Sequence, residues 1–156
     1  MEKEKNNSIK VLYAEDDPDD REFFADSLHT VKSDASLTLV EDGKELLAHL
    51  SESGTIPPDF IFIDINMPNI NGKECLKKIR KNTRLKHVPV IILSTSSHPR
   101  DIEETFSYGA NLYVKKPSDF KLHMKFLKKI FDLDWSELPL PPDKDKFVWN
   151  EHVLTV

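Results

Sequence analysis

The run "AEDDPDD", Ala14 to Asp20, sets five carboxylates into seven residues directly behind the apolar-rich stretch "IKVLY". Like charges at that density repel unless a cation, a helix end or bulk water takes up part of the charge, so the five acids must have different duties. Further along, other short apolar runs also end in residues that carry chemistry. "FIFID" ends in Asp64, "VIILS" in Ser94 with Thr95 next, and "NLYVKK" in Lys116 before Pro117. Clustered carboxylates with oxygen-only company suit a hard cation such as Mg2+, which accepts one or two carboxylates, keeps several waters and takes a phosphate as a remaining ligand. A carboxylate in such a group can also attack phosphorus to form an aspartyl-phosphate. A metal and an ammonium beside it would neutralise charge on the transferred phosphoryl oxygens, and the Ser94 hydroxyl would hydrogen-bond the bound group.

The elements that must bring these residues together are legible as apolar runs alternating with amphipathic stretches. The runs are "IKVLYAE", "SLTLVE", "PDFIFID", "VPVIILS" and "NLYVKK". They alternate with "PDDREFFADSLHTV", "GKELLAHLSE", "NGKECLKKIRKN", "PRDIEETFSYG" and "SDFKLHMKFLKKIF". Five strand and helix pairs in alternation imply crossover connections and a parallel sheet covered on both faces, a (βα)5 unit. "FIFID" and "VIILS" are almost wholly apolar, as strands buried on both faces should be. In such a sheet ligands gather outside the carboxyl ends of the strands, where Glu15, Asp16, Asp64, Ser94, Thr95 and Lys116 all fall. The first helix carries Phe24, Leu28 and Val31 on one face, with Asp17 as N-cap and Pro18 in the first turn. Asp19 and Asp20 then lie in that turn, where the helix dipole and water favour negative charge. Glu15 and Asp16 are left at the strand tip.

At 156 residues the chain fits one domain with an appendage: a flexible lead over 1–8, a domain over 9–131 and an extension over 132–156. A net charge of -5 argues against a nucleic-acid partner, and the basic run "KKIRKNTRLK" reads as a solvated helix face plus loop. The single cysteine, Cys75, rules out an internal disulfide and a cysteine-rich zinc site, and reads as a small apolar filler in a reducing cytoplasm. No stretch approaches a secretory core or a membrane span, so a soluble cytoplasmic protein is expected. The six histidines show no ligand spacing, and the four glycines form no phosphate cradle. In the extension, Pro139, Pro141 and Pro142 impose an extended segment, while Trp135 and Trp149 imply that it packs on something.

Residues Ile9 to about Phe131 resemble the receiver domain of two-component response regulators. "VLYAEDDPDD", "FIFIDINMPNINGKE", "VPVIILSTS" and "GANLYVKKP" stand in that family's order and spacing. The resemblance implies a doubly wound α/β sandwich of flavodoxin-like type with parallel sheet order 2-1-3-4-5. It makes Asp64 the phosphoacceptor, Asp16 a direct Mg2+ ligand, Glu15 a ligand through water and Asn66 a ligand through its main-chain carbonyl. Ser94, with Thr95 beside it, becomes the switch hydroxyl, Tyr113 the switch aromatic and Lys116 the phosphate-contacting ammonium. A cis Lys116–Pro117 bond is implied as well. The departures are a Glu-Asp acid pair, Ser at the switch where Thr is more frequent, and Ser118 where an aromatic is common. The first would soften metal affinity.

The function implied is that of a single-domain regulator. It takes a phosphoryl group from a sensor histidine kinase or hybrid kinase onto Asp64 and signals to a downstream protein target, catalysing only its own phosphorylation and dephosphorylation. The pattern is similar to chemotaxis and phytochrome regulators, and no output domain is expected within the 25-residue extension. A haloacid-dehalogenase-type phosphotransferase is disfavoured because Asn66 stands where its second acid belongs. An unphosphorylated interaction module is disfavoured by the full set of site residues. On the fifth helix, Phe120, Met124, Leu127 and Phe131 are expected to face the sheet, leaving Leu122, Phe126 and Leu133 on a second stripe. That stripe is covered either by the extension of the same chain or in a homodimer formed through the helix and the extension.

Overall fold

Phe60–Ile63 (β3) and Val90–Ser94 (β4) are the centre of the molecule, every residue of both being buried, as their almost wholly apolar composition requires. The computed structural model describes residues 8–52 and 54–155, so the expected flexible lead over 1–8 lies, apart from Ser8, outside the described residues. Around the central pair run β1 (Lys10–Ala14), β2 (Ser36–Val40) and β5 (Leu112–Lys115), each strand followed by a helix. The helices are α1 (Pro18–Val31), α2 (Gly43–Ser51), α3 (Gly72–Lys81), α4 (Pro99–Ser107) and α5 (Phe120–Asp132). The sheet is parallel throughout with order β2-β1-β3-β4-β5-β6, so the expected order 2-1-3-4-5 holds and a sixth strand, β6 (Val148–Trp149), is added at the β5 edge.

Period-two alternation along the strands feeds two separate cores. Leu12, Ala14, Ile61, Ile63, Val90, Ile92 and Tyr113 point to α2 and α3, where Leu46, Leu76 and Ile79 meet them. Val11, Tyr13, Phe60, Phe62, Ile91 and Val114 point the other way, to Phe24 and Leu28 of α1 and to α5. Cys75 is a filler as expected, fully buried, with burial pushing its thiol up to about 11.

Three expectations need correction. The buried side of α5 is His123, Phe126, Leu127 and Ile130, so that of the expected Phe120, Met124, Leu127 and Phe131 only Leu127 belongs to it. Phe126 is therefore core and offers nothing to a second copy of the chain. An imidazole held by Ser27 occupies a position that apolar counting passes over. Second, Arg80 in the basic run is no solvated charge. Its guanidinium donates to the carbonyls of Gly109 at 2.7 Å and Val88 at 3.0 Å and to Asn111 Oδ1 at 2.6 Å, tying the loop before β4 to the loop before β5. Third, the expected cis bond at Lys116–Pro117 is absent. The cis peptide among the described residues is Leu140–Pro141. Proline narrows the gap between isomers without choosing one, so residue identity alone does not place a cis bond.

The extension packs on the same chain. After α5 come single turns at Trp135–Glu137 and Lys144–Lys146, then β6 (Val148–Trp149) and α6 (Glu151–Thr155). Trp135 Nε1 donates to the Ile130 carbonyl at 2.9 Å, and its ring meets Phe60 edge-on. Phe147 is buried against Phe106 of α4, and its carbonyl accepts from the Tyr113 N–H at 2.9 Å. Among the described residues no helix is long and apolar enough to cross a membrane.

Candidate functional site

The carboxyl ends of β1 and β3 are tied by the Asp64 N–H donating to the Ala14 carbonyl at 3.1 Å, which sets Glu15, Asp16 and Asp64 side by side. One carboxylate oxygen from each lies within 4.8 Å of the others. Glu15 is 1% exposed. Its Oε1 accepts from the Tyr13 hydroxyl at 3.0 Å and from Lys116 Nζ at 2.6 Å, and its Oε2 accepts from the Asp17 N–H at 3.2 Å. These three donors satisfy a buried carboxylate that would otherwise be costly. Asp17 caps α1 as expected, accepting from the Asp19 N–H at 2.9 Å. Asp16, the exposed neighbour, is thereby left to the cluster.

The loop after β3 is held by its own side chains. Asn69 takes a left-handed conformation at φ 67, which asparagine tolerates, and its amide donates to Asp42 Oδ2 at 2.8 Å. Gly72 opens α3 so close to the strand tip that a Cβ there would lie 2.4 Å from the Asp64 carbonyl oxygen. Only glycine permits that approach, and it fixes where Asp64 stands. Asn66 is exposed on this loop, two residues beyond Asp64.

Lys116 follows β5, its N–H donating to the Ser94 carbonyl at 2.8 Å, which puts the β4 and β5 tips together. Its ammonium is 2.6 Å from Glu15, 2.8 Å from Asp20 and 3.9 Å from Asp64. Burial alone would lower this ammonium. Its bonds to Asp20 and Glu15 outweigh that and hold it above the usual lysine range. Burial pushes the Asp64 carboxyl up to about 7, with Glu15 adding to the rise and Lys116 opposing it. A carboxyl pushed up by burial beside two other carboxylates is a place where a divalent cation would relieve repulsion, and the oxygen-only donor set fits a hard one.

Of the expected site residues, the structure brings Glu15, Asp16, Asp64 and Lys116 together. Thr95 lines a cleft of about 340 Å³ with Asp20, Lys116 and His123. Ser94 is fully buried, its Oγ accepting from the Ser96 N–H at 3.1 Å. Tyr113 stands apart from the acids, its hydroxyl donating to the Ser96 carbonyl at 2.9 Å. Two residues were missed. Tyr13 carries a phenol pushed well above its usual range by burial and then by Glu15. The helix dipole and water account for Asp20 in the sequence, yet it also holds Lys116. The available signal was its place in the first turn, since helical side chains lean toward the N-terminus and so reach over the sheet tip.

Compared with known proteins, residues 11–128 match the model of the response regulator receiver domain. The chain is 29% identical over 145 residues to response regulator Rcp1 of Synechocystis sp., covering 90% of this chain and 99% of that one. It is 30% identical over 132 residues to chemotaxis protein CheY-3 of Vibrio cholerae, covering 85% and 98%. The structure of the phosphorylated cyanobacterial phytochrome response regulator RcpA superposes with a TM-score of 0.75 at 29% identity, covering 86% of this chain and 99% of that one. The Mn2+-bound form of Rcp1 does so with a TM-score of 0.72 at 28% identity, covering 85% and 99%.

Proposed function

The chain belongs to the response regulator receiver domain family, and from that premise we propose that it is a phosphoacceptor, taking a phosphoryl group from a histidine kinase onto Asp64 in a Mg2+-dependent reaction. The observation that carries this reading is the meeting of Glu15, Asp16, Asp64 and Lys116 at the strand tips. Asp64 Oδ attacks phosphorus as the N–P bond of a phosphohistidine breaks, and the departing imidazole keeps the electron pair. Asp16 and Asp64 would hold the cation through carboxylate oxygens and Asn66 through its main-chain carbonyl. Glu15, its oxygens already engaged by protein donors, would reach it through water. When bound, Mg2+ offsets the charge of the carboxylates and of the phosphoryl oxygens. Lys116 Nζ needs a shift of about 1 Å from its 3.9 Å position to bond an acceptor at the Asp64 carboxylate. The Ser94 hydroxyl is the switch donor to the phosphoryl group, and Tyr113 follows it.

The setting that agrees with this chemistry is the cytoplasm, with a sensor or hybrid kinase upstream and a protein target downstream. Self-association through α5 and the extension is part of the proposal, resting now on Leu138 and Leu140, which stay 42% and 43% exposed. Incubation with acetyl phosphate and Mg2+, read by intact mass, is expected to add one phosphoryl group to the wild type and none to Asp64→Asn or to protein kept in a chelator. Equal labelling of Asp64→Asn would overturn the assignment.

A further inference from the structure

Asp20 lies in the first turn of α1, where a carboxylate could serve the helix dipole without any other contact. Instead its Oδ2 accepts from Lys116 Nζ at 2.8 Å, across 96 residues of chain. An ammonium has three donors. Two of those on Lys116 are directed at Glu15 and Asp20, and Asp64, at 3.9 Å, is beyond hydrogen-bond distance. The lysine therefore leans toward α1 in the free protein.

Its two partners differ in what they can give up. Glu15 is 1% exposed, and losing its ammonium would leave a buried carboxylate short of a counter-charge. Asp20 is 41% exposed and on release is taken up by water. A phosphoryl group on Asp64 would bring more negative charge and more acceptor oxygens than Asp20 offers.

We infer that Asp20 is a positioning residue: it draws Lys116 away from Asp64 in the free protein and is the partner that Lys116 surrenders when a phosphoryl group arrives, while Glu15 keeps hold throughout. This rests on the phosphoacceptor reading of Asp64. Whatever stabilises the free arrangement weakens capture of the phosphoryl group by the same factor. For a pair with one partly exposed member that factor is roughly twofold to fivefold.

Two measurements test it. In protein without metal or phosphoryl donor, acylation by an N-hydroxysuccinimide ester, mapped by mass spectrometry, is expected to modify Lys116 at least about twofold faster in Asp20→Asn than in the wild type. Lys115, which bonds Ser97 Oγ, should keep its rate. Asp20→Glu should restore the protection. With Mg2+ and beryllofluoride, a phosphoryl analogue, calorimetry should find roughly twofold to fivefold tighter binding in Asp20→Asn. Asp19→Asn, which removes the same helix-end charge without touching Lys116, should bind as the wild type does. In a Lys116→Met background, Asp20→Asn should change nothing. Unchanged Lys116 acylation overturns the inference whatever the phosphoryl chemistry, and so does weaker beryllofluoride binding in Asp20→Asn. Faster acylation with no beryllofluoride binding in any protein, wild type included, overturns the phosphoacceptor reading instead.

Discussion

His123 shows how one residue can set the pH range of the fold. It is 3% exposed, its Nδ1 lies 2.7 Å from Ser27 Oγ, and the rings of Phe23, Phe24 and Phe126 stand edge-on around it. Burial lowers its pKa to about 4. The unfolded chain, at about 6.5, binds this proton more tightly, so stability is intact above about pH 6.5 and is lost as the pH falls toward about 4. The loss amounts to about 2 kcal/mol between about pH 7 and pH 4.5. Urea unfolding of the wild type and His123→Gln at both pH values should show the wild type losing that much more than the variant. Equal losses would mean that His123 is charged or solvated in the fold. Nothing in the sequence marks this histidine, since a buried helix face is read from its apolar residues and a polar ring is passed over. Asp20 was obscured differently, because a first-turn acid already has a sufficient explanation.

At the scale of elements, helix and strand periods placed the five pairs closely. "PDDREFFADSLHTV" is α1 to the residue, with Asp17 and Pro18 in their expected places. Such agreement is strongest where local rules and burial coincide, as in β3 and β4. It fails for the buried face of α5, though not for its place in the chain, and for β6, two residues too short to show any period. The α3 start is the element on which the site depends most. A Cβ on Gly72 would meet the Asp64 carbonyl oxygen at 2.4 Å and the Ile65 Cα at 2.9 Å, and main chain cannot step aside as a flexible side chain can. Gly72→Ala is expected to cost about 1–3 kcal/mol in urea unfolding and to abolish labelling by acetyl phosphate, by moving Asp64. Wild-type labelling in that variant would show that the strand tip tolerates the shift.

For the whole molecule, the extension is part of the core. Phe147 is 1% and Leu154 2% exposed, and the β5 edge is closed by β6. Phe147→Ala should cost about 3–5 kcal/mol, seen as a fall in the urea midpoint. A cost below about 1 kcal/mol would show that the extension is held loosely. Trp135 and Trp149 signalled that this segment packs, but not on what, because the edge of β5 and the face of α4 are assembled from residues distant in sequence. The strand tips were legible for the opposite reason: each ends a strand, and a parallel sheet gathers its strand ends at one edge. That gathering is what supports Asp64 as the phosphoacceptor, and the modified residue can be identified chemically. Protein treated with acetyl phosphate and Mg2+ is reduced with borohydride, which converts an acyl phosphate to an alcohol, and is then sequenced by tandem mass spectrometry. Homoserine is expected at position 64 and at no other aspartate. Phosphorylated protein with an unreduced Asp64, or with homoserine at Asp16 or Asp20, would contradict that assignment.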